Sequence, residues 1–253
     1  MFRASLMSLL LSGSLFAGVH GAQTSVHWGY YNDDMSPDRW AKVSRMCGIG
    51  QEQTPIDIKS AEAKPLPKEI LSIYEGRVKD VDVVNNGHTI KVIPHYNHTY
   101  NHGYITIEGD TYELLQFHFH SHSESTIDGD RADLVAHLVH QSYDGELAVL
   151  SVFFKEGEEN KELAKLWENM PMKAGEHHTV QDIDMHNIMP ENIHSYYHLM
   201  GSLTTPPCSE GVKWFFFKEK ATISKEQIAK FRSLYPKNYR PLQDSHHREI
   251  FVK

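Results

Sequence analysis

Gln116-Phe117-His118-Phe119-His120 is the stretch whose reading decides the architecture. In an extended strand successive side chains alternate between faces, so His118 and His120 point one way and Phe117 and Phe119 the other. The phenylalanines then anchor the strand in an apolar core. The two imidazoles, with Cα atoms about 6.5 Å apart, face a common space and converge on one ion. A tetrahedral zinc site with three protein ligands keeps its fourth position for water. In a chain with 18 histidines, a His-x-His pair alone reads first as structural or surface. A third donor has to come from elsewhere, because His122 shares the face but lies too far along the same strand. The next strand-like segment, Ala136-His137-Leu138-Val139-His140, offers His137, since neighbouring strands lie about 4.8 Å apart. His140 has the opposite parity and faces away.

Outward from this segment, strand signals dominate: residues 89–94, 104–108, 112–122, 134–141, 147–155 and 212–218 carry β-branched and aromatic residues. Gly109-Asp110 and Asp144-Gly145 mark turns between several of them. Two helices are expected. Residues 161–170 place Leu163, Leu166, Trp167 and Met170 on one face. Residues 224–235 open on Ser224 with Gln227 three positions on, a capping box, and stop at Pro236. Residues 61–68, with Pro65 and Pro67, read as a surface loop. The expectation is a single β-dominated α/β domain, with a few short helices around a large sheet.

At the N-terminus, Arg3, an apolar run from Ala4 to Val19, and Gly21-Ala22 have the layout of a secretory signal peptide. Residues 1–22 are therefore read as a leader and 23–253 as the domain, placing the chain in the periplasm or outside the cell. Nothing after the leader is long and apolar enough to cross a bilayer, and a formal charge of −8 disfavours nucleic acid as a partner. Only two cysteines are present, Cys47 and Cys208. In an oxidising compartment such a pair reads first as a disulfide, with two buried thiols as the alternative.

The chain resembles the α-carbonic anhydrases at seven places in the family's order: His27-Trp28-Gly29-Tyr30 with Trp40, Gln53 to Ile58, Asn85-Asn86-Gly87-His88, Gln116 to His120, His137 to His140, Ser202 to Cys208, and Asn238 to Pro241. The resemblance implies a large, twisted, mostly antiparallel central sheet with zinc at the base of a conical cleft. It further implies reversible hydration of carbon dioxide to bicarbonate and a proton by zinc-bound hydroxide. His118, His120 and His137 would hold the metal. Thr204 would accept from the hydroxide and donate to Glu124, and His88 would shuttle the proton out. Gln116 and the backbone near Asn238 would orient His118 and His120. Val139, Val149, Leu203 and Trp214, beside Thr205, would wall the substrate pocket; by pattern alone they are ordinary sheet core. The cysteine pair matches a disulfide common in bacterial members, among which homodimers also occur.

Two departures stand out. The family's third histidine usually has a glutamate two residues before it, where this chain has Val135. Loss of such a partner typically costs about 10–100-fold in metal affinity or activity, so weaker zinc binding is expected. Lys91 takes a position where many relatives carry a small polar residue, and a cation there would depress the pKa of His88. Two other functions are compatible with the residues: a non-catalytic carbonic-anhydrase-like binding protein, or a periplasmic zinc store. His95, His98, His102, His177, His178, His246 and His247 speak for the second.

Overall fold

Apolar and polar residues alternate along most of this chain's extended segments, and the fold follows from covering both faces of the sheet they form. The computed structural model describes residues 27–31, 35–95 and 103–253. The expected leader, His98 and His102 lie outside them. The strands are β1 Asp57–Ile58, β2 Lys64–Pro65, β3 Leu71–Ile73, β4 Arg77–Asn85, β5 Ile90–Pro94, β6 Tyr104–Ile107, β7 Asp110–His120 and β8 Thr126–Ile127. They continue with β9 Leu134–Ser142, β10 Leu147–Glu156, β11 His177–Asp184, β12 Tyr196–Ser202, β13 Glu210–Phe217, β14 Ala221–Ile223 and β15 Phe251–Val252. The α-helices are α1 Met46–Ile49, α2 Lys161–Glu168 and α3 Lys225–Leu234.

A 13-stranded sheet runs β11-β4-β5-β7-β9-β10-β13-β12-β15-β2, with β14 beside β10 and β6 joining β3 to β7. Its pairings are antiparallel except where β10 meets β13 and β14 and where β15 meets β2. One face packs Phe117, Phe119, Leu138 and Leu150 against Trp167 of α2 and Phe231 of α3. The opposite face carries a second apolar cluster around Val135, Val139, Val149, Phe153, Trp214 and Phe216. Because both faces are covered, Leu134 to His140 of β9 are buried without a break. His140 points into the first face, as its parity requires, and its Nε2 meets Glu75 Oε1 at 2.6 Å.

The helices start where their caps put them. Asn160 Oδ1 accepts the Glu162 and Leu163 amides to open α2. The Ser224–Gln227 capping box opens α3. Gln227 also exchanges hydrogen bonds with the Asn160 backbone, so one side chain ties both helix starts together. Some boundaries differ from expectation. Helix α2 ends at Glu168, although Met170 still packs into the core. The Lys64–Pro65 segment, expected as loop, adds β2 to the sheet through the Lys64 amide to Ile250 O at 2.8 Å. Strand β7 ends at His120, not His122. Beyond it the chain turns, and His122 Nδ1 accepts from Arg232 Nη2 at 3.0 Å, away from the other two imidazoles.

Cys47 and Cys208 are joined across a separation of 161 residues, with Cα atoms 5.1 Å apart. The bridge ties α1, which contains Cys47, to the loop carrying Thr204 and Thr205. Arg240 and Gln53 hold the same junction, donating to the carbonyls of Cys47 and Cys208 at 3.0 Å each. A Cys47→Ser/Cys208→Ser double variant should lose about 2–5 kcal/mol of stability. Urea unfolding of oxidised wild type and variant side by side reads this directly; coincident midpoints would contradict it.

Candidate metal centre

Sheet register assembles the site. Lys91 of β5, His118 of β7, His137 of β9 and Ser151 of β10 are successive cross-strand partners, forming one rung across the sheet. The rung above is Gln116, Val139, Val149 and Trp214, and the rung below is His120, Val135 and Phe153. Directly opposed residues share a face, so His118 and His137 face each other while His120 stands one rung away. The imidazole centroids lie 5.0, 5.5 and 4.8 Å apart for the pairs 118–120, 118–137 and 120–137. One ring nitrogen from each histidine falls within 4.8 Å of the other two.

Which nitrogens converge is settled by what the others bond. His118 Nδ1 meets Gln116 Oε1 at 3.0 Å, and His120 Nδ1 meets the Asn238 carbonyl at 2.6 Å. Nε2 of both rings is thereby left for the shared gap. His137 presents Nδ1, which lies 3.8 Å from Glu124 Oε2; that oxygen is 3.4 Å from His120 Nε2. His120 Nε2 and Glu124 Oε2 are buried with no hydrogen-bond partner. Buried polar atoms are rarely left so, and a cation among the three imidazoles would complete His120 Nε2. Burial pushes the His118 pKa well below the usual value, helped by His120 and Lys91. Burial does the same to His137, helped by His120 and His118. Both rings are therefore neutral at pH 7 with lone pairs free, the state a zinc ligand needs.

Around this gap lies a cavity of about 150 Å³ lined by Trp28, Tyr30, Asn86, His88, Thr89, Lys91, Gln116, His118, His120 and Thr205. His88 stacks on Trp28 at 3.8 Å between ring centroids, and His27 is 6.3 Å away. The His88 pKa is lowered, first by burial and then by His27. Lys91 was the expected cause; it sits opposite His118 instead and acts on that ring. Val139, Val149 and Trp214 are buried beside the triad, with Leu203 packed against the same cluster and Trp214 edge-on to His137 at 4.9 Å. Thr204 is buried in the loop after β12. Glu124 is fully buried, and its Oε1 accepts the Arg240 amide at 2.9 Å. The expected Thr204 to Glu124 hydrogen bond is not made in this geometry, since Oε2 is turned toward the imidazoles.

Three contributions go beyond what motif reading assigned. Asn238 acts through its side chain as well as its carbonyl, with Nδ2 donating to the carbonyls of His88 and Phe119 and Oδ1 accepting the Ser121 amide. Arg240, almost wholly buried, donates to Gln53 Oε1 and Thr54 O at 2.8 Å each, clamping the N-terminal segment beneath the site. Its pKa is pushed down to about 10 by burial, against the pull of Glu124. Tyr30, whose phenol pKa is raised well above normal by burial and by Glu124, stays neutral. Asn238 and Arg240 both lie in Asn238-Tyr239-Arg240-Pro241, a segment that by local pattern is a post-helix loop and that only the family resemblance marks.

Three imidazoles from two paired strands, gathered beside a cleft, make a candidate metal centre of the kind that leaves one coordination position to water. The description "Eukaryotic-type carbonic anhydrase" matches residues 35–253 of the chain. A carbonic anhydrase from Neisseria gonorrhoeae is 38% identical over 252 residues, 98% of this chain and 96% of its own. The α-carbonic anhydrase of Thermovibrio ammonificans, solved with the inhibitor sulfanilamide, superposes with a TM-score of 0.82 at 44% identity, covering 89% of this chain and 98% of its own. Dioscorin, solved with ascorbate, has a TM-score of 0.81 at 29% identity over 89% and 97% of the two chains. This chain belongs to the eukaryotic-type, or α, carbonic anhydrase family.

The depressed imidazoles predict a pH effect. His118 and His137 bind protons less readily folded than unfolded, where a histidine titrates near about 6.5. As pH falls through that value the unfolded chain takes up more protons, so the metal-free protein loses stability on the acid side. Melting of chelator-treated protein from about pH 7.5 down to about pH 5 should show this loss, and His137→Gln should flatten the slope. An unchanged slope in the variant would contradict the assignment.

Proposed function

We propose that this chain is a zinc-dependent carbonic anhydrase, converting carbon dioxide and water reversibly to bicarbonate and a proton. The observation that carries this reading is the convergence of His118, His120 and His137, with two of the rings already held through their second nitrogens. Zinc, when bound, supplies Lewis acidity that lowers the pKa of a coordinated water to about 7, a value known from carbonic anhydrases themselves.

The chain's own residues do the rest. Glu124 Oε2, a buried acceptor without a partner, accepts a hydrogen bond from the Thr204 hydroxyl once that side chain turns toward it. The Thr204 oxygen is then left to accept, which orients the attacking oxygen's lone pair toward carbon. Carbon dioxide needs no charged anchor, and Val139, Val149, Leu203 and Trp214 offer it an apolar wall with little competing water. The released proton leaves by His88, which shares a cavity with His118 and His120. Its lowered pKa makes it a readier donor to buffer but a weaker acceptor at neutral pH. Gln116 and Asn238 fix the rings of His118 and His120, as outer partners of metal ligands generally do.

Export to the periplasm or beyond is part of the same proposal. The Cys47–Cys208 disulfide supports an oxidising compartment. No helix among the described residues is long and apolar enough to cross a membrane. A zinc-storage role finds less support. Among the described residues the surplus histidines form no second group of three donors, and His95 and His178 already pair with Asp82 and the Asn169 carbonyl.

Stopped-flow measurement of carbon dioxide hydration should show turnover that a strong chelator abolishes and one equivalent of zinc restores. Turnover indifferent to the chelator, or none in zinc-loaded protein, would refute the proposal. In weak buffer His88→Ala should slow the steady state, by up to about 10²-fold, with added imidazole recovering it. An undiminished rate would remove His88 from the proton path.

A further inference from the structure

Of the three histidines, His137 alone has no outer partner in the position where the resemblance leads one to expect it. With Nδ1 turned to the metal gap, Nε2 is the ring nitrogen left for an outer partner; the side chains placed nearest by register are Val135 two residues back on β9, Ser151 directly opposite on β10 and Phe153 diagonal to it, with Trp214 edge-on to the ring. Val135 and Phe153 have nothing to offer a hydrogen bond. Trp214 Nε1 is a donor and is already committed to the Ser202 carbonyl at 3.0 Å. Ser151 remains. It is 0% exposed, and its hydroxyl is one of four buried side-chain polar atoms without a hydrogen-bond partner among the described residues. Two of the others, His120 Nε2 and Glu124 Oε2, face the metal gap itself. The fourth, Glu75 Oε2, belongs to the pair with His140 on the other face.

An unpaired hydroxyl in an apolar cluster is costly to keep unless some state of the protein uses it. We propose that Ser151 is the positioning residue for His137: in the metal-loaded protein His137 Nε2–H donates to Ser151 Oγ, replacing from the opposite strand the carboxylate that Val135 does not supply. Directly opposed residues hold their Cβ atoms about 5 Å apart, a gap that the imidazole spans and the Ser151 hydroxyl can close by turning about χ1. Ligation fixes the tautomer with the proton on Nε2 and gives the hydroxyl a permanent donor to meet. A neutral acceptor binds less strongly than a charged one by roughly half, so the replacement is partial and the site stays weaker than one with a carboxylate. This inference rests on the zinc reading above and goes beyond it.

Ser151→Ala tests it. Zinc release into a chromophoric chelator should be about tenfold faster in the variant. The melting temperature of the metal-free protein should stay the same or rise, because the hydroxyl is unpaired there. The visible spectrum of the cobalt-substituted variant should shift, since the third imidazole is no longer oriented. Adding Val135→Glu to Ser151→Ala should slow zinc release again, bringing a carboxylate to the same nitrogen from β9. Equal release rates in the wild type and Ser151→Ala would overturn this inference alone. So would a faster release that tracks a lowered metal-free melting temperature and is not recovered by Val135→Glu. Absence of stoichiometric zinc from the wild type would overturn the metal-site reading and this inference with it.

Discussion

The pairing register of β7 with β9 is the constraint on which the rest of the structure depends. It sets His118 opposite His137 and His120 opposite Val135, so three imidazoles from two strands meet on one face. A slip of one residue would turn His137 into the core and bring His140, now held by Glu75, toward the cleft. Apolar clusters on both sides of the sheet make such a slip expensive, because every alternate residue of β9 would exchange one packed environment for another. The same packing strips water from the imidazoles and keeps two of them neutral. Stability and metal affinity therefore draw on one set of contacts.

Across the site, polarity changes along the rungs. At the β5 end Lys91 faces His118, and the cavity beyond it is lined by amides, hydroxyls and histidines. At the β10 end His137 meets Trp214, beside the apolar cluster that includes Val149 and Phe153. In the proposed reaction, a proton leaving the centre would find the polar side, and a nonpolar molecule approaching it the apolar side. The gradient arises because the sheet's neighbours differ on the two sides of β7 and β9, and no single side chain produces it.

Fold and chemistry are separable here. Dioscorin, solved with ascorbate, shares the architecture at 29% identity, so the sheet alone does not name a ligand. What points to a chemistry in this chain is the donor set on the sheet and the framework that holds it. That framework includes the Asn238 bridge between the His88 backbone and the end of β7, and the Arg240 clamp beside Glu124. The disulfide joins in by fastening the loop of Thr204 and Thr205 to the segment that Arg240 also grips.

A good part of this is legible in local sequence patterns. Two-residue periodicity puts His118 and His120 on one face and Phe117 and Phe119 on the other, and sets His140 against His137. Ser224 and Gln227 announce α3, and two cysteines announce their bridge. Strands such as β11, rich in polar residues at a sheet edge, gave no such signal, and Lys64–Pro65 looked like loop because a two-residue strand has no period to read.

What the sequence by itself determined is which way each side chain points within its own element, since backbone geometry fixes that over a few residues. Tertiary structure alone decided the neighbours: β9 between β7 and β10, Lys91 against His118 and not His88, and Ser151 across from His137. Such pairings join residues far apart in the chain, and their choice depends on the joint burial of whole faces, a quantity no local pattern contains.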